Sequence, residues 1–211
     1  MKPLLLSAIL FGSAAGAAPS GTAIGYALDD FSLTLPSEAK VCIEQPAKRR
    51  DSSACAGVKM PTPGAEDANA VAHLSLRGLQ IIVVIHGGEI DPNPGGPMTR
   101  KYIDENLGRS MENARAQGVT IHGFRESDLY DLVTVGGVPA MRNIIEMADK
   151  RVITYGVQGR TSLTSVVFFS DASHLEAAKQ LAEKIMATVR VQPPKGIPSR
   201  GVPTQPDGKS K

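Results

Sequence analysis

The sequence predicts an α+β domain in which an antiparallel β-sheet is flanked by helices in an α/β/α sandwich. Three observations lead to this prediction. Five strand-like segments follow one another over residues 119–170, between two amphipathic helical segments. The breaks between them are short and polar or glycine-rich, as in an antiparallel meander. The order of strands, helix, strands and helix lacks the regular alternation of a parallel βαβ fold.

The composition bounds the class of protein. The chain has 211 residues, which is room for one ordinary domain plus tails. With no Trp and only 4% aromatic residues, the core has to rest on aliphatic side chains and Met. The formal net charge of +2 is too small to indicate nucleic acid as a partner.

The N-terminus has the pattern of a secretory signal peptide over residues 1–17. A short basic start is followed by an apolar run over residues 4–12 and by Ala15-Gly16-Ala17, which fits an A-x-A cleavage site. The apolar run is about half of the roughly 20 residues that a membrane-spanning helix needs. No later segment is long and apolar enough to cross a bilayer, so no membrane span is predicted. We therefore expect an exported protein, periplasmic or secreted, with residues 18–25 as a flexible spacer.

The predicted export favours a disulfide between the two cysteines. Cys42 and Cys55 are the only cysteines, and the loop between them, IEQPAKRRDSSA, is too polar to gain much from burial. In an oxidising compartment this pair predicts a disulfide, worth roughly 3 kcal/mol in the chain-entropy model. The alternative is a catalytic thiol, but no His is next to either cysteine in the sequence to activate it.

The first half of the domain alternates between strand and loop patterns. Phe31, Leu33 and Leu35 alternate with polar residues and predict a strand that ends at Pro36. Val41-Cys42-Ile43 predicts a second strand, and residues 56–70 a surface loop. Leu74 and Leu76 alternate again, and the run LQIIVVI after Gly78 is typical of a central, covered strand.

A helix is predicted over residues 98–117, with Ile103, Leu107, Met111 and Ala114 on one face and Gly118 as its stop. The meander follows as VTIHGF, DLYDLVTV, VPAMRNIIEM, RVITYGV and LTSVVFF. Gly136-Gly137 predicts a two-residue type I′ hairpin turn, and Asp149-Lys150 and Gly159-Arg160 mark two further turns.

A second helix is predicted to open at Ser173, with Glu176 completing a capping box. Its apolar face is formed by Leu175, Ala178, Leu181, Ile185 and Val189. From residue 192 to residue 211 the chain is rich in Pro and Lys and lacks core residues, so this tail is predicted to be disordered.

These features together carry a resemblance. The FSLTLP strand, the mid-chain amphipathic helix, the meander and the closing LEAAKQLAEKIMATVRV helix resemble the PsbP/Mog1/DcrB-like superfamily. The resemblance covers residues 26–191 and implies an α/β/α sandwich around an antiparallel sheet. The superfamily has no shared catalytic residues, and its members mostly serve as accessory, binding or assembly factors.

The stretch IIVVIHGGEIDPNPGG, residues 81–96, is the part of the sequence most similar to an active site. His86-Gly87-Gly88 resembles the oxyanion loop of an esterase, but neither a G-x-S-x-G elbow nor a doubly wound strand order accompanies it. The stretch contains no H-x-x-x-H or H-E-x-x-H pattern for zinc, and Asp91 and Asn93 lack the remaining positions of an EF-hand. We therefore predict neither a catalytic residue nor a metal or cofactor. His86, Glu89, Asp91 and Asn93 are predicted instead to contact a ligand or partner.

One further residue stands out within a predicted strand. Arg142 alternates with apolar residues, and it shares a face with Ile144 and Glu146. The favoured interpretation is that Arg142 and Glu146 are ordinary solvated residues, and the alternative is that Arg142 forms the floor of a charged groove.

The function predicted from the sequence is that of an exported, non-catalytic binding or accessory module of the cell envelope. Its partner is an unidentified protein or envelope component, and an enzyme is not expected. Two alternatives stay open: a metal-dependent or unrecognised hydrolase that uses residues 86–96, and a structural envelope protein that uses its Pro/Lys-rich tail for contact.

Overall fold

The computed structural model describes residues 21–26, 30–44, 49–50, 68, 70–76, 79–89, 98–125 and 128–194. The strands are β1 (Gly21–Tyr26), β2 (Phe31–Pro36), β3 (Lys40–Glu44), β4 (Arg49–Arg50), β5 (Ala70–Leu76), β6 (Leu79–Glu89), β7 (Thr120–His122), β8 (Asp131–Val135), β9 (Val138–Glu146), β10 (Lys150–Gln158) and β11 (Ser162–Asp171). The helices are α1 (Arg100–Ile103), α2 (Arg109–Ala116) and α3 (Leu175–Met186).

The strands form one large antiparallel sheet and one separate hairpin. The order in the sheet is β4-β3-β5-β6-β11-β10-β9-β7, and β8 also pairs with β9. Strands β7 and β8 therefore share one edge of β9, where each pairs with a different half of that strand. Strands β1 and β2 pair with each other, and Ser32 of β2 also forms an isolated antiparallel bridge with Arg190. The predicted α+β class and the central position of the LQIIVVI strand are confirmed.

Helices cover both faces of the sheet. Helix α3 and the β1–β2 hairpin pack on one face through residues such as Leu33, Ala182 and Ile185, which meet Ile153 and Phe168 of the sheet. We call this the α3 face. On the opposite face, α1 and α2 pack over β7 and β9. The predicted α/β/α arrangement is therefore present, with the hairpin as an addition to one layer.

The first predicted helix is confirmed with an interruption. Ile103 and Met111 are buried on the predicted face, and Leu107 and Ala114 pack beside them. Between α1 and α2 the residues Asp104–Gly108 form a π-helical segment, so the helix is continuous but locally widened. Thr99 caps its N-terminus by accepting a hydrogen bond from the backbone of Tyr102, and Gly118 ends it with φ +85°.

The second helix begins two residues later than predicted, and its capping box is wrong. The chain leaves β11 through a single 3-10 turn, Ala172–His174, and α3 starts at Leu175. Because Ser173 lies inside that turn, its hydroxyl faces the His174 ring instead of capping α3. Glu176 pairs with Lys179. The predicted apolar face is confirmed, with Ala178, Ile185 and Val189 buried and Leu175 and Leu181 packed against the core.

The domain extends beyond both predicted boundaries. Residues 18–25 were predicted as a flexible spacer, but Gly21–Tyr26 form β1, with Ile24 buried in the core. The small residues of this segment do not show the apolar alternation of a strand, because β1 is stabilised mainly by its pairing with β2. At the other end Pro194 is buried and Gln192 donates a hydrogen bond to Asp30, so the placed chain reaches three residues into the predicted tail.

Several predictions fall outside the described residues. These are the signal peptide over residues 1–17, most of the 56–70 loop, and the tail over residues 195–211. Cys42 is buried in β3, but Cys55 is not described, so the disulfide stays a prediction. In the part of the chain that the structure describes, no helix is long and apolar enough to cross a membrane.

Candidate functional site

The structure places only part of the site predicted from the sequence. His86 and Glu89 belong to β6, where they pair with Ser165 and Ser162 of β11, so the strand runs further than the apolar residues alone indicate. Because Ile85 lies in the core beneath α3 and side chains alternate along a strand, His86 is on the opposite face of the sheet. Asp91 and Asn93 lie outside the described residues, and no cluster able to hold a metal ion occurs among those described.

The clearest polar site lies on the α3 face and centres on Arg142. Its position in β9 beside Ile144 directs it toward α3, and only 17% of its side chain is exposed. The favoured prediction of a solvated Arg142 is therefore wrong, and the alternative of a charged groove floor is confirmed. The reason is that α3 lies across this face and supplies a partner for the guanidinium.

Two carboxylates hold the guanidinium in place. Arg142 Nε donates to Asp131 Oδ2 at 3.1 Å, and Nη1 donates to Glu183 Oε1 at 2.8 Å. Asp131 comes from β8, and its Oδ2 also accepts from the backbone N–H of Phe124 at 2.7 Å. A Cβ at Gly123 would lie 2.8 Å from Asp131 Oδ1, so only glycine at that position leaves room for this carboxylate.

One aromatic ring stacks against the guanidinium, and two further rings follow it in a chain of edge-to-face contacts. Arg142 Cζ lies 3.8 Å from the centroid of the Phe124 ring, which also has Lys179 Nζ at 5.1 Å. Phe124 meets Tyr155 edge to face, with ring centroids 6.3 Å apart, and Tyr155 meets Phe168 in the same way. A cation over an aromatic face in a partly desolvated position adds about 1–2 kcal/mol of attraction.

Burial and charge act in opposite directions on these groups. Burial raises the pKa of Tyr155 to about 12, and the nearby Arg142 charge opposes part of that increase. For Arg142, burial lowers the pKa, but the interactions with Tyr155, Asp131 and Glu183 outweigh it and the pKa rises overall. The Tyr155 hydroxyl is buried, and within the described residues no group meets it in good hydrogen-bond geometry.

A partly open pocket of about 220 Å³ lies above this cluster, between β8 and α3. Its floor contains Arg142 and Tyr155, and its walls include Val133, Glu183 and Met186. We call this space the Arg142 pocket. It is smaller than the roughly 300–1,000 Å³ of typical small-molecule sites, so it suits a small group or a single side chain.

A second ionic group lies on the same face but outside the lining of the pocket. Glu146 Oε1 is 3.3 Å from Arg151 Nε and 3.5 Å from His122 Nε2. His122 Nδ1 lies 2.7 Å from the carbonyl oxygen of Gly123; a carbonyl only accepts, so Nδ1 carries the proton. The pair of Glu146 and Arg151 joins the end of β9 to β10 and provides a matched ion pair for comparison with Arg142.

Most of the Arg142 pocket could not be found from the sequence. Arg142 was visible as a charge among apolar strand residues, whereas Phe124, Asp131, Tyr155 and Glu183 come from four separate segments. Only the antiparallel register, which places Arg142 between Asp131 and Tyr155, brings three of these residues together.

Comparisons with known proteins give similarity in structure only. No protein-family model matches the chain, and no curated protein matches its sequence. Its structure is similar to the solution structure of cyanobacterial PsbP (CyanoP) from Synechocystis sp. PCC 6803, at 13% identity and a TM-score of 0.49 over 86% of this chain and 98% of that one. It is also similar to LpqN of Mycobacterium tuberculosis, which is involved in cell envelope biogenesis, at 13% identity and a TM-score of 0.42 over 82% and 86%.

The first of these structures is a PsbP, from the superfamily that the sequence resembles. With both TM-scores below 0.5, neither similarity carries an argument about ligand, partner or activity.

Proposed function

We propose that the chain is an exported binding module of the cell envelope that contacts its partner through the Arg142 pocket. The observation that carries this proposal is an arginine that is largely buried, yet lines an open pocket together with the buried Tyr155. Buried charges are costly and are held by partners on every side. A pocket floored by such a group is a reason to expect recognition at this place.

A non-catalytic role fits the way in which the charges are used. Asp131 and Glu183 both bond to Arg142, and Asp131 is further held by the backbone of Phe124. Each of these three charged groups is therefore held in position by another of them. Such an arrangement forms a fixed hydrogen-bonding surface, which is what specific binding requires. The location in the envelope rests on the predicted signal peptide.

A pair of conservative variants tests this proposal. Arg142→Lys keeps the charge but loses the planar fork that bonds two carboxylates, and Arg151→Lys makes the same change in the ion pair with Glu146. Each protein, with an affinity tag, is expressed in the native host and recovered from the envelope together with bound components.

We expect wild type and Arg151→Lys to recover the same partner, and Arg142→Lys to recover at least tenfold less of it while remaining folded by circular dichroism. Equal recovery by all three proteins, or the same loss in both variants, would refute a role for the Arg142 pocket.

A further inference from the structure

We infer that the outer edge of β8 takes up an extended segment of a partner protein as an added strand. An uncharged Asn or Gln side chain of that segment occupies the Arg142 pocket. This inference rests on the proposed function and deepens it, because it names the chemistry of the partner and the way in which it docks.

The backbone of β8 is free to pair on one side. Val135 and Val138 are the pair that closes a two-residue turn, and in such a hairpin this pair is hydrogen-bonded. Every second pair from there along β8 and β9 is hydrogen-bonded as well, and the pairs between them are not. The N–H and C=O groups of Leu132 and Thr134 consequently point away from β9. Neither residue has a backbone partner on that side within the described chain. An unpaired edge of this kind is a template for strand addition.

The side chains of β8 suit an added strand. Leu132 is 39% exposed, and Met147 is the other large exposed apolar residue in the described chain. Val133, whose side chain packs toward the α3 face, and Thr134 both line the pocket, whereas the side chain of Leu132 lies on the opposite face of the sheet. A residue opposite Val133 on the added strand would therefore face the pocket, and its neighbour would cover Leu132.

The pocket favours an uncharged amide. The charges at the pocket are already balanced: Arg142 and Glu183 line it with one positive and one negative charge, and Lys179 and Asp131 beside it add one of each. A ligand group of either sign would therefore leave an unpaired charge in the cluster. Arg142 has five N–H donors and uses two for these carboxylates. The Glu183 side chain is about half exposed and can accept another bond. A primary amide offers an oxygen to Arg142 and an N–H to Glu183 without adding charge.

A peptide titration tests the inference. The mature protein, labelled with ¹⁵N, is titrated with the peptide acetyl-Thr-Val-Gln-Val-Thr-amide and followed by heteronuclear NMR. One control peptide carries N-methyl groups on both valines, whose N–H groups would bond to β8, and a second has Glu in place of Gln.

We expect saturable shifts of the Leu132 and Thr134 amides and of Arg142 Nε. Loss of two backbone hydrogen bonds should weaken the N-methylated peptide more than tenfold, and the Glu peptide should bind at least fivefold more weakly.

Two protein variants separate the edge from the rest of the surface. Thr134→Pro removes an outward N–H but no bond to β9, because Thr134 and Pro139 form a pair that exchanges no hydrogen bonds. It should lower affinity more than tenfold, whereas Met147→Thr, which removes an exposed apolar side chain elsewhere, should leave affinity unchanged.

Several outcomes would overturn strand addition: no saturable binding at millimolar peptide, equal binding of the N-methylated peptide, or shifts confined to other surfaces. A peptide-free dimer with protected Leu132 and Thr134 amides would assign the edge to a second copy of this chain. If these tests fail while Arg142→Lys still loses the envelope partner, the binding function stands and only the docking mode is wrong.

Discussion

Arg142 is the residue that most clearly departs from ordinary strand chemistry. A charged side chain at 17% exposure is tolerated because two carboxylates and an aromatic ring replace the water that it has lost. The two carboxylates are not equivalent. Asp131 is 19% exposed and Glu183 is 53% exposed, so solvent screens the second ion pair much more than the first.

This difference predicts unequal effects on stability. Arg142→Met leaves Asp131 without its cation in a largely buried position, and should lower the free energy of unfolding by about 2–3 kcal/mol. Adding Asp131→Asn should recover about 1 kcal/mol, because no uncompensated charge remains. Glu183→Gln should cost under about 1 kcal/mol. Urea denaturation measures all three changes, and an equal cost for Arg142→Met and Glu183→Gln would be inconsistent with the structure.

The raised pKa of Tyr155 predicts that the stability of the protein depends on pH. Its pKa is raised from 10.0 to about 12 by burial, so its contribution is fully present below pH 10 and is lost as pH rises through 12. Between pH 9 and pH 11 the wild type should lose about 1.3 kcal/mol more stability than Tyr155→Phe. Urea unfolding of both proteins at the two pH values measures this difference, and parallel losses would show that Tyr155 ionises normally.

At the scale of elements, the β8–β9 hairpin sets the position of one wall of the pocket. Gly136 and Gly137 both have positive φ, as the sequence predicts for a type I′ turn. Gly136 is constrained further, because a Cβ there would lie 2.9 Å from the carbonyl oxygen of Val189. The turn therefore packs closely against the segment that follows α3, and Ala187 of that segment also lines the pocket.

Two glycine substitutions with opposite expected signs test this geometry. Gly136→Ala should lower the free energy of unfolding by about 1–3 kcal/mol, through the strained φ of +58° and the contact with Val189. Gly108→Ala should raise it by about 0.5–1 kcal/mol, because Gly108 has helical dihedrals and its nearest contact would be 3.8 Å away. Thermal unfolding distinguishes these, and a stabilising Gly136→Ala would contradict the turn geometry.

Local patterns predicted most elements and few of their ends. Apolar spacing was sufficient for α2, α3 and the meander, because those faces point toward the core. The strand β1 was missed because GTAIGY has little apolar periodicity and depends on β2 for its hydrogen bonds. The predicted cap at Ser173 was wrong because the chain leaves β11 through a 3-10 turn that contains Ser173. A capping-box motif in the sequence does not distinguish such a turn from the first turn of the helix.

At the scale of the whole molecule, export and oxidation remain predictions from the sequence. If both are correct, the protein recovered from the envelope should begin at Ala18 and show no alkylatable thiol until it is reduced. Reduction should then cost roughly 3 kcal/mol of stability, as the short loop between Cys42 and Cys55 predicts. Mass spectrometry before and after reduction measures this directly, and two free thiols in the native protein would exclude the disulfide.

His86, the one residue of the predicted site whose side chain the structure describes, and the Arg142 pocket lie on different sides of the sheet. His86 points away from α3, whereas Arg142 points toward it. The 86–96 stretch can be recognised from the sequence because its glycines and acidic residues are close together along the chain. The Arg142 pocket depends on residues of β8, β9, β10 and α3, which only the folded chain brings together.

A photo-crosslinking residue in the native envelope discriminates between these two surfaces most directly. It is placed singly at Thr134 on the rim of the Arg142 pocket, at Asn93 in the predicted contact stretch, and at the exposed Gln180 of α3 as a control. If the Arg142 pocket binds the partner, Thr134 should give a defined adduct that Arg142→Lys abolishes, and Gln180 should give none. Adducts from Asn93 with none from Thr134 would contradict binding at the Arg142 pocket.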